Sequence, residues 1–495
     1  MGLSAPERLG PRLLACQGLA GYNDATLQGA ATRGQDHRSN LKEAGKPVMN
    51  KDKRSRLEAC KIVSGILAVL ALAAPSAHAR RLIISYRHGT AAKSLRDQVI
   101  ERLRASRLFD IADSAGGGEF MAQVVEVPDS EDASPVDIQG ASAKIASQGG
   151  FDSQDVQVEE DFWTNWLRGV SFQRTPFLDG ASMGDLGIAP LSGRLTRPAS
   201  SDGKGPAPTP APGQNVKPQL PWGVARVDAP AAWPATKGAG VKVCVVDTGV
   251  DPSHPDLAGV VAGGVNIIAG NNDFSDDNGH GTHVAGTIAA IGRYAAMVQG
   301  KPTLVVGVAP RVSIYAVKVM NAQGEGRLSD IVRGIMWCAN HKAQVMNMSL
   351  GSDTPAVSEE RAVTYAQAHG VVPIAASGNT GKDVGYPAAY PEVIAVGASD
   401  ANDQVASFSS RGPQVRFIAP GDQIISTWMN GGYAAASGTS MASPHVAALA
   451  ALAVSEGARG FNQVLSTLQA AATPLKGLTK KQQGFGMIDA KKLVR

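Results

Sequence analysis

The sequence predicts an α/β domain with a mostly parallel, buried sheet over residues 219–495, preceded by a small α+β unit over 80–161. Three observations carry this reading. Short apolar runs without polar alternation recur at 241–246, 313–319, 345–350, 371–376 and 393–396, as strands buried on both faces require. Helical periodicity separates them at 283–290, 328–340, 358–369 and 440–453. A stretch rich in Pro, Ala, Gly and Ser, including PAPTPAPG, lies between 198 and 221 and reads as a solvated linker. Alternating strands and helices with buried strands imply right-handed crossovers and a layered domain. Functional residues are then expected at the carboxyl ends of the strands.

Composition limits what the chain can be. Of 495 residues, 43% are hydrophobic and 18% charged, which suits a large core and excludes a disordered chain. The formal charge is +4 with no long basic run, so nucleic acid is not an implied partner. Four cysteines, Cys16, Cys60, Cys244 and Cys338, are too few for a disulfide-dense scaffold and form no CxxC zinc site. Cys244 and Cys338 have apolar neighbours and are expected as buried free thiols.

Along the chain, residues 1–48 carry no periodic apolar pattern and are assigned no fold; translation is expected to start at Met49. Lys51, Lys53, Arg54, Arg56 and Lys61 then precede a thirteen-residue apolar run, followed by a small-residue Ala-x-Ala site. This predicts a signal peptide over 49–79, cleaved after Ala79, and the run is too short to span a bilayer. The next unit reads β-α-β-α-β, with strands at 81–86, 120–127 and about 156–158 and helices at 91–106 and 136–147. It suits a ferredoxin-like split βαβ arrangement. Residues 162–218 are expected to be linker.

Three polar features stand at strand ends or helix starts of the larger domain. Asp247 closes the first strand, His280 opens a helix in HGTHVAGT, and Ser440 opens another in GTSMASPH. Each could be a turn or cap residue by itself. Together they supply an acid, an imidazole and a hydroxyl, the set needed to activate a serine nucleophile. His280 and His283 could instead suggest a metallohydrolase, but a lone H-x-x-H is weak evidence for zinc.

These blocks, DTG at 247, HGTHVAGT at 280 and GTSMASPH at 438, resemble the signature blocks of the subtilisin-like serine proteases, in that family's order. The resemblance covers about 219–490 and continues through GVAP, YAVKV, NMSLG, SGN, SFSSRGP and APG. It implies a subtilisin-like three-layer fold and a secreted serine endopeptidase made as a self-processing zymogen. Ser440 would attack, His280 would move the proton, and Asp247 would orient the imidazole. Asn379 matches the oxyanion-hole amide. Gly324, Glu325, Gly326, Ser349, Leu350 and Gly351 match the segments that flank an extended substrate, and Gly385 matches the pocket floor. His283 and His445 would be packing residues. Thr380 is uncharged, so an apolar or aromatic side chain is expected in the pocket.

The resemblance also implies that 80–161 is an inhibitory propeptide and intramolecular chaperone, with the mature chain starting within 200–219. Protein and peptide substrates, a monomer, and a location outside the cytoplasm follow. No cofactor is implied for catalysis. Asp256 matches a ligand of the family's strong calcium site, while 292–306 departs from the loop supplying the others. The rival reading is a catalytically inactive relative that binds proteins; the complete set Asp247, His280, Asn379 and Ser440 argues against it.

Overall fold

The computed structural model describes residues 80–86, 106–112, 121–127, 156–175, 177–178, 218–298 and 301–494. The expected signal peptide, both helices of the small unit and most of the linker lie outside these residues. Among the described residues, no helix is long and apolar enough to cross a membrane.

The small unit contributes four strands: β1 (Arg80–Tyr86), β2 (Ser106–Ala112), β3 (Met121–Val127) and β4 (Val156–Glu160). They form one antiparallel sheet in the order β2-β3-β1-β4. β2 is the further strand that the sequence allowed without placing. The following residues, expected as linker, instead form β5 (Trp163–Asn165), β6 (Ser171–Thr175) and β7 (Phe177–Leu178), each paired to the larger domain.

The larger domain is built on seven parallel strands in the order β17-β16-β15-β14-β8-β12-β9. These are β8 (Lys242–Asp247), β9 (Val261–Asn266), β12 (Ser313–Lys318), β14 (Val345–Met348), β15 (Val372–Ala376), β16 (Ile394–Ser399) and β17 (Val415–Pro420). Helices cover both faces. Val243 and Val245 of β8 pack with α1 (His280–Ala289), α4 (Thr439–Ser455) and α5 (Gly460–Ala471). Cys244 and Val246, which point the other way, pack with α2 (Leu328–Asn340) and α3 (Val357–Ala368). This is the layered α/β architecture expected from the sequence, and its unbroken apolar strands follow from burial on both faces.

Cys244 and Cys338 are joined in a disulfide between β8 and α2, not left as free thiols. Their Cα atoms are 6.0 Å apart, within bridging range. Apolar neighbours signal burial alike for a thiol and a disulfide, so the sequence did not distinguish them.

The four-stranded sheet rests on α2 and α3, where Ile83, Ala122 and Val124 join their apolar cluster. Its edge strand and the residue after it also cap both helices. Glu159 accepts the N–H groups of Val357 and Ser358, both at 2.7 Å. Asp161 accepts the Ser329 N–H at 2.9 Å and its hydroxyl at 2.9 Å, and pairs with Arg81 at 3.0 Å. Helix starts leave backbone donors unpaired and carry partial positive charge, so carboxylates suit them.

Beside this contact Glu359 is fully buried. Burial, with the Glu159 carboxylate adding to it, pushes the Glu359 acid up to about 8. The folded chain therefore holds a proton that the unfolded chain releases above the ordinary carboxylate range. Stability should fall as pH rises through that window to about 8 and then level off. In a Ser440→Ala background, which removes self-digestion, Glu359→Gln should raise the urea midpoint at about pH 9 and leave it unchanged near pH 4. Equal shifts at both pH values would contradict this.

Candidate active site

Two backbone junctions bring the polar features together. β8 ends at Asp247, and α1 begins at His280 on the adjoining loop. Gly281 lets the junctions meet, since a Cβ there would lie 2.0 Å from the Gly249 carbonyl oxygen. Asp276, which the sequence reading did not single out, organises the turn. Its carboxylate accepts from the Thr248 hydroxyl (2.9 Å), the N–H groups of Asn278, Gly279 and Thr282 (3.0, 2.9 and 2.9 Å), and the Thr282 hydroxyl (2.6 Å). A single acid thus fixes both the strand end and the first turn of α1.

Asp247 and His280 are both fully buried, with Oδ1 and Nδ1 2.7 Å apart. Asp247 also accepts the Thr248 N–H at 2.8 Å. With Nδ1–H donating to the acid, the lone pair lies on Nε2, which is the tautomer a general base needs. Nε2 is buried without a hydrogen-bond partner among the described residues.

Ser440 is the second residue of α4 and is 3% exposed. Its hydroxyl donates to the Ser349 carbonyl at 3.1 Å, not to His280. Its own carbonyl lacks the usual helical donor, because the residue four ahead is Pro444, which has no N–H. Ser349 supplies the missing hydrogen, donating its hydroxyl to Ser440 O at 2.7 Å. Ser349 in turn accepts from the Asn347 amide at 2.9 Å, and Asn347 accepts from Ser443 at 2.7 Å. This buried chain ties the start of α4 to β14. Asn347 is a positioning residue; it lies in the NMSLG block, where only Ser349, Leu350 and Gly351 were given a role, and only the fold brings it to Ser443.

Asn379 follows β15. Its Oδ1 accepts the Thr439 N–H (2.7 Å) and hydroxyl (2.8 Å), which points Nδ2 into the cleft. There Nδ2 donates to the Arg168 carbonyl at 2.9 Å. The chain's own residues 163–175 occupy the cleft. β5 pairs antiparallel with β13 (Glu325–Arg327), setting Asn165 opposite Glu325 and Thr164 opposite Gly326. Trp166 donates to Gly324 O at 2.9 Å and accepts from Gly351 N at 3.0 Å. Past Gly169, β6 pairs antiparallel with β19 (Gly432–Ser437). The structure thus brings Gly324, Glu325, Gly326 and Gly351 to an extended peptide by backbone groups, an added-strand geometry, while Ser349 contacts Ser440 instead.

Leu350 and Gly385 line the adjoining pocket with Ser440, Asn379 and Thr380. A Cβ on Gly385 would lie 2.9 Å from Ser352 O, so this wall requires glycine. The expectation of an uncharged, apolar pocket is not met. Asp353 and Asp383 also line it, and Arg168 pairs with Asp353 at 3.6 Å. Asp383 follows Thr380 on the same loop, whereas Asp353 comes from the loop after β14 and reaches the pocket only through the fold.

His283 donates through Nε2 to the carbonyls of Ile424 (2.9 Å) and Ala434 (3.1 Å), and burial lowers it to about 3. His445 bonds Met441 O at 2.8 Å, and burial lowers it to about 4. Both are neutral packing residues. His280 and His283 have separate partners and do not form a ligand pair, and no group of three metal-ligating side chains occurs among the described residues.

Both oxygens of Asp256, the matched calcium ligand, meet protein donors. One carboxylate oxygen accepts the Arg293 N–H and the other the Tyr433 hydroxyl at 2.6 Å. Burial raises the Asp256 acid to about 6. The hairpin of β10 (Ile291–Val298) and β11 (Lys301–Val306) stands beside it. Calcium needs six to eight oxygens, and each oxygen of this carboxylate already accepts a hydrogen bond from the protein, with no group of three metal-ligating side chains among the described residues.

Residues 238–486 match the model of the "Subtilase family". The chain is 44% identical to Subtilisin BL of Lederbergia lenta over 279 residues, covering 56% of this chain and 99% of that protein. It is 44% identical to the alkaline protease of Shouchella clausii over 279 residues, 56% of this chain and 70% of the relative. Subtilisin E of Bacillus subtilis (strain 168) is 44% identical over 264 residues, 52% and 67% respectively.

The buried pair generates a direct test. Asp247→Asn is nearly isosteric, but its amide favours the wrong imidazole tautomer. The variant should keep the wild-type far-UV circular dichroism and lose about 10⁴-fold in kcat. Activity within tenfold of wild type would remove Asp247 from the reaction.

Proposed function

The chain belongs to the subtilase family and is a serine endopeptidase, and on that premise we propose that Asp247, His280 and Ser440 are its triad and Asn379 its oxyanion donor. The observation that carries this reading is the buried 2.7 Å Asp247–His280 hydrogen bond, with Nε2 left without a hydrogen-bond partner among the described residues. The hydroxyl of Ser440 turns from the Ser349 carbonyl to Nε2 when the peptide carbonyl is attacked, and His280 takes its proton. The proton then passes to the leaving amine, and water repeats the sequence on the acyl ester. Asn379 Nδ2 and the N–H groups at the start of α4 stabilise the oxyanion. Asp247 holds the imidazole in register and stabilises its protonated form without taking the proton itself.

The enzyme is a zymogen in this reading. The unit over 80–161 is a propeptide of the ferredoxin-like kind. The strand order β2-β3-β1-β4 and the capping of two helices by Glu159 and Asp161 support it. The segment after it lies along the cleft, where it excludes other substrates. Residues 49–79 direct export. The Cys244–Cys338 bridge supports a compartment that is oxidising, where disulfides persist. Protein and peptide substrates follow from the open, strand-adding cleft, and the mature enzyme works as a monomer. No cofactor takes part in this mechanism.

Expression of Ser440→Ala in a host lacking other secreted proteases tests the zymogen reading. The product should accumulate with the unit from Arg80 onward still attached, by intact mass. Release of a mature-sized Ser440→Ala chain would refute self-processing.

A further inference from the structure

The cleft holds a specific peptide of this chain, and its chemistry identifies what the pocket takes. We propose that the pocket beside Ser440 selects a basic side chain on the residue whose carbonyl is attacked, with Asp353 and Asp383 as the selecting carboxylates, and that Arg168–Gly169 is the first bond the enzyme cuts. This inference rests on the triad assigned above.

Four observations converge on that bond. The Asn379 amide, oriented by Thr439, donates to the Arg168 carbonyl at 2.9 Å. No other carbonyl of the bound segment meets this donor among the hydrogen bonds of the described residues. The chain enters antiparallel along β13 and leaves antiparallel along β19, so Arg168–Gly169 spans the turning point between the two sides of the cleft. Gly169 follows at φ +71°, and a Cβ there would lie 2.8 Å from the Asn379 Cβ. A residue without a side chain is therefore required directly after the carbonyl in this pose.

The charges of the pocket complete the argument. Its charged lining residues are Arg168, Asp353 and Asp383. The single cation belongs to the bound segment, 3.6 Å from Asp353. When that segment leaves, two carboxylates remain at the pocket without it, and another arginine or lysine restores the balance. The Arg168 and Asp353 side chains are 60% and 71% exposed. Their attraction is screened by water and salt, so the preference is modest and falls with ionic strength.

The covalent step balances as follows. Ser440 Oγ bonds to the Arg168 carbonyl carbon, and its proton passes through His280 to the Gly169 nitrogen as the C–N bond breaks. Water then cleaves the Arg168 ester, leaving a carboxylate on Arg168 and the hydroxyl on Ser440. The products are a chain ending at Arg168 and one beginning at Gly169.

Two measurements on the full chain test the proposal. Sequencing of the earliest processed product should find a new amino terminus at Gly169; one within 200–219, or at any other position, overturns the cut-site assignment. With matched peptides differing only at the residue before the cleaved bond, kcat/KM for Arg should exceed that for Leu by about fivefold to tenfold at low salt. The ratio should shrink near 1 M salt, and in Asp353→Asn/Asp383→Asn it should fall to about one. An enzyme that digests casein yet prefers Leu, or a double variant that keeps the Arg preference, overturns the selectivity while leaving the triad standing. A chain as active on casein with Ser440→Ala as without it overturns the triad reading instead.

Discussion

The hydrogen bond between Asp247 and His280 joins the last residue of a central strand to the first residue of a helix, with both side chains shut off from water. Much of the larger domain can be understood as the means of keeping that bond. The seven-stranded sheet fixes Asp247 through neighbours on both sides of β8. Asp276 locks the first turn of α1, and Gly281 permits the approach that any side chain would block. His283, one turn along α1, is anchored to two carbonyls of the strands beside it and cannot rotate toward His280. Burial of a charged acid is costly unless its partners are in place, so the site and the fold around it are specified together.

A second constraint acts on the nucleophile. Pro444 removes one rung of α4, and the freed carbonyl of Ser440 is claimed by Ser349. The start of α4 is thereby tied to the loop after β14 instead of to its own helix. That same loop offers Gly351 to the bound segment, so the wall that receives peptide and the residue proposed to attack it move as one body. On the other side of the cleft, Thr439 sets the direction of Asn379. Thr439 and Ser440 are adjacent, and a shift of the α4 start would misplace the hydroxyl and the amide donor at once.

How much of this was legible in the sequence depends on which physical signal each part uses. The parallel strands advertise themselves because burial on both faces leaves no polar alternation, and β8, β12, β14, β15 and β16 stand where the apolar runs put them. Asp247, His280, Asn379 and Ser440 sit at strand ends and helix starts as expected. What escaped depends on pairing at a distance. β5 and β6 attach through backbone hydrogen bonds while Trp163 and Phe172 remain exposed, so they carry no apolar stripe and read as linker. The bridge from Cys244 to Cys338 spans 94 positions and needs the packing of α2 on β8 to be known. Asp353 and Asp383 come from the loops after β14 and β15 and line one pocket only once the sheet is formed. Asp256 keeps the residue type of a calcium ligand, but Tyr433, 177 positions away, takes its oxygen.

The most direct measurement is the site of covalent capture by a fluorophosphonate, which reacts with an activated serine. Peptide mapping of the inactivated mature enzyme should find one adduct, on Ser440, with loss of activity in step with its formation. Loss of activity with the adduct on another residue, or a fully modified Ser440 in an enzyme that still cleaves peptides, would contradict the account.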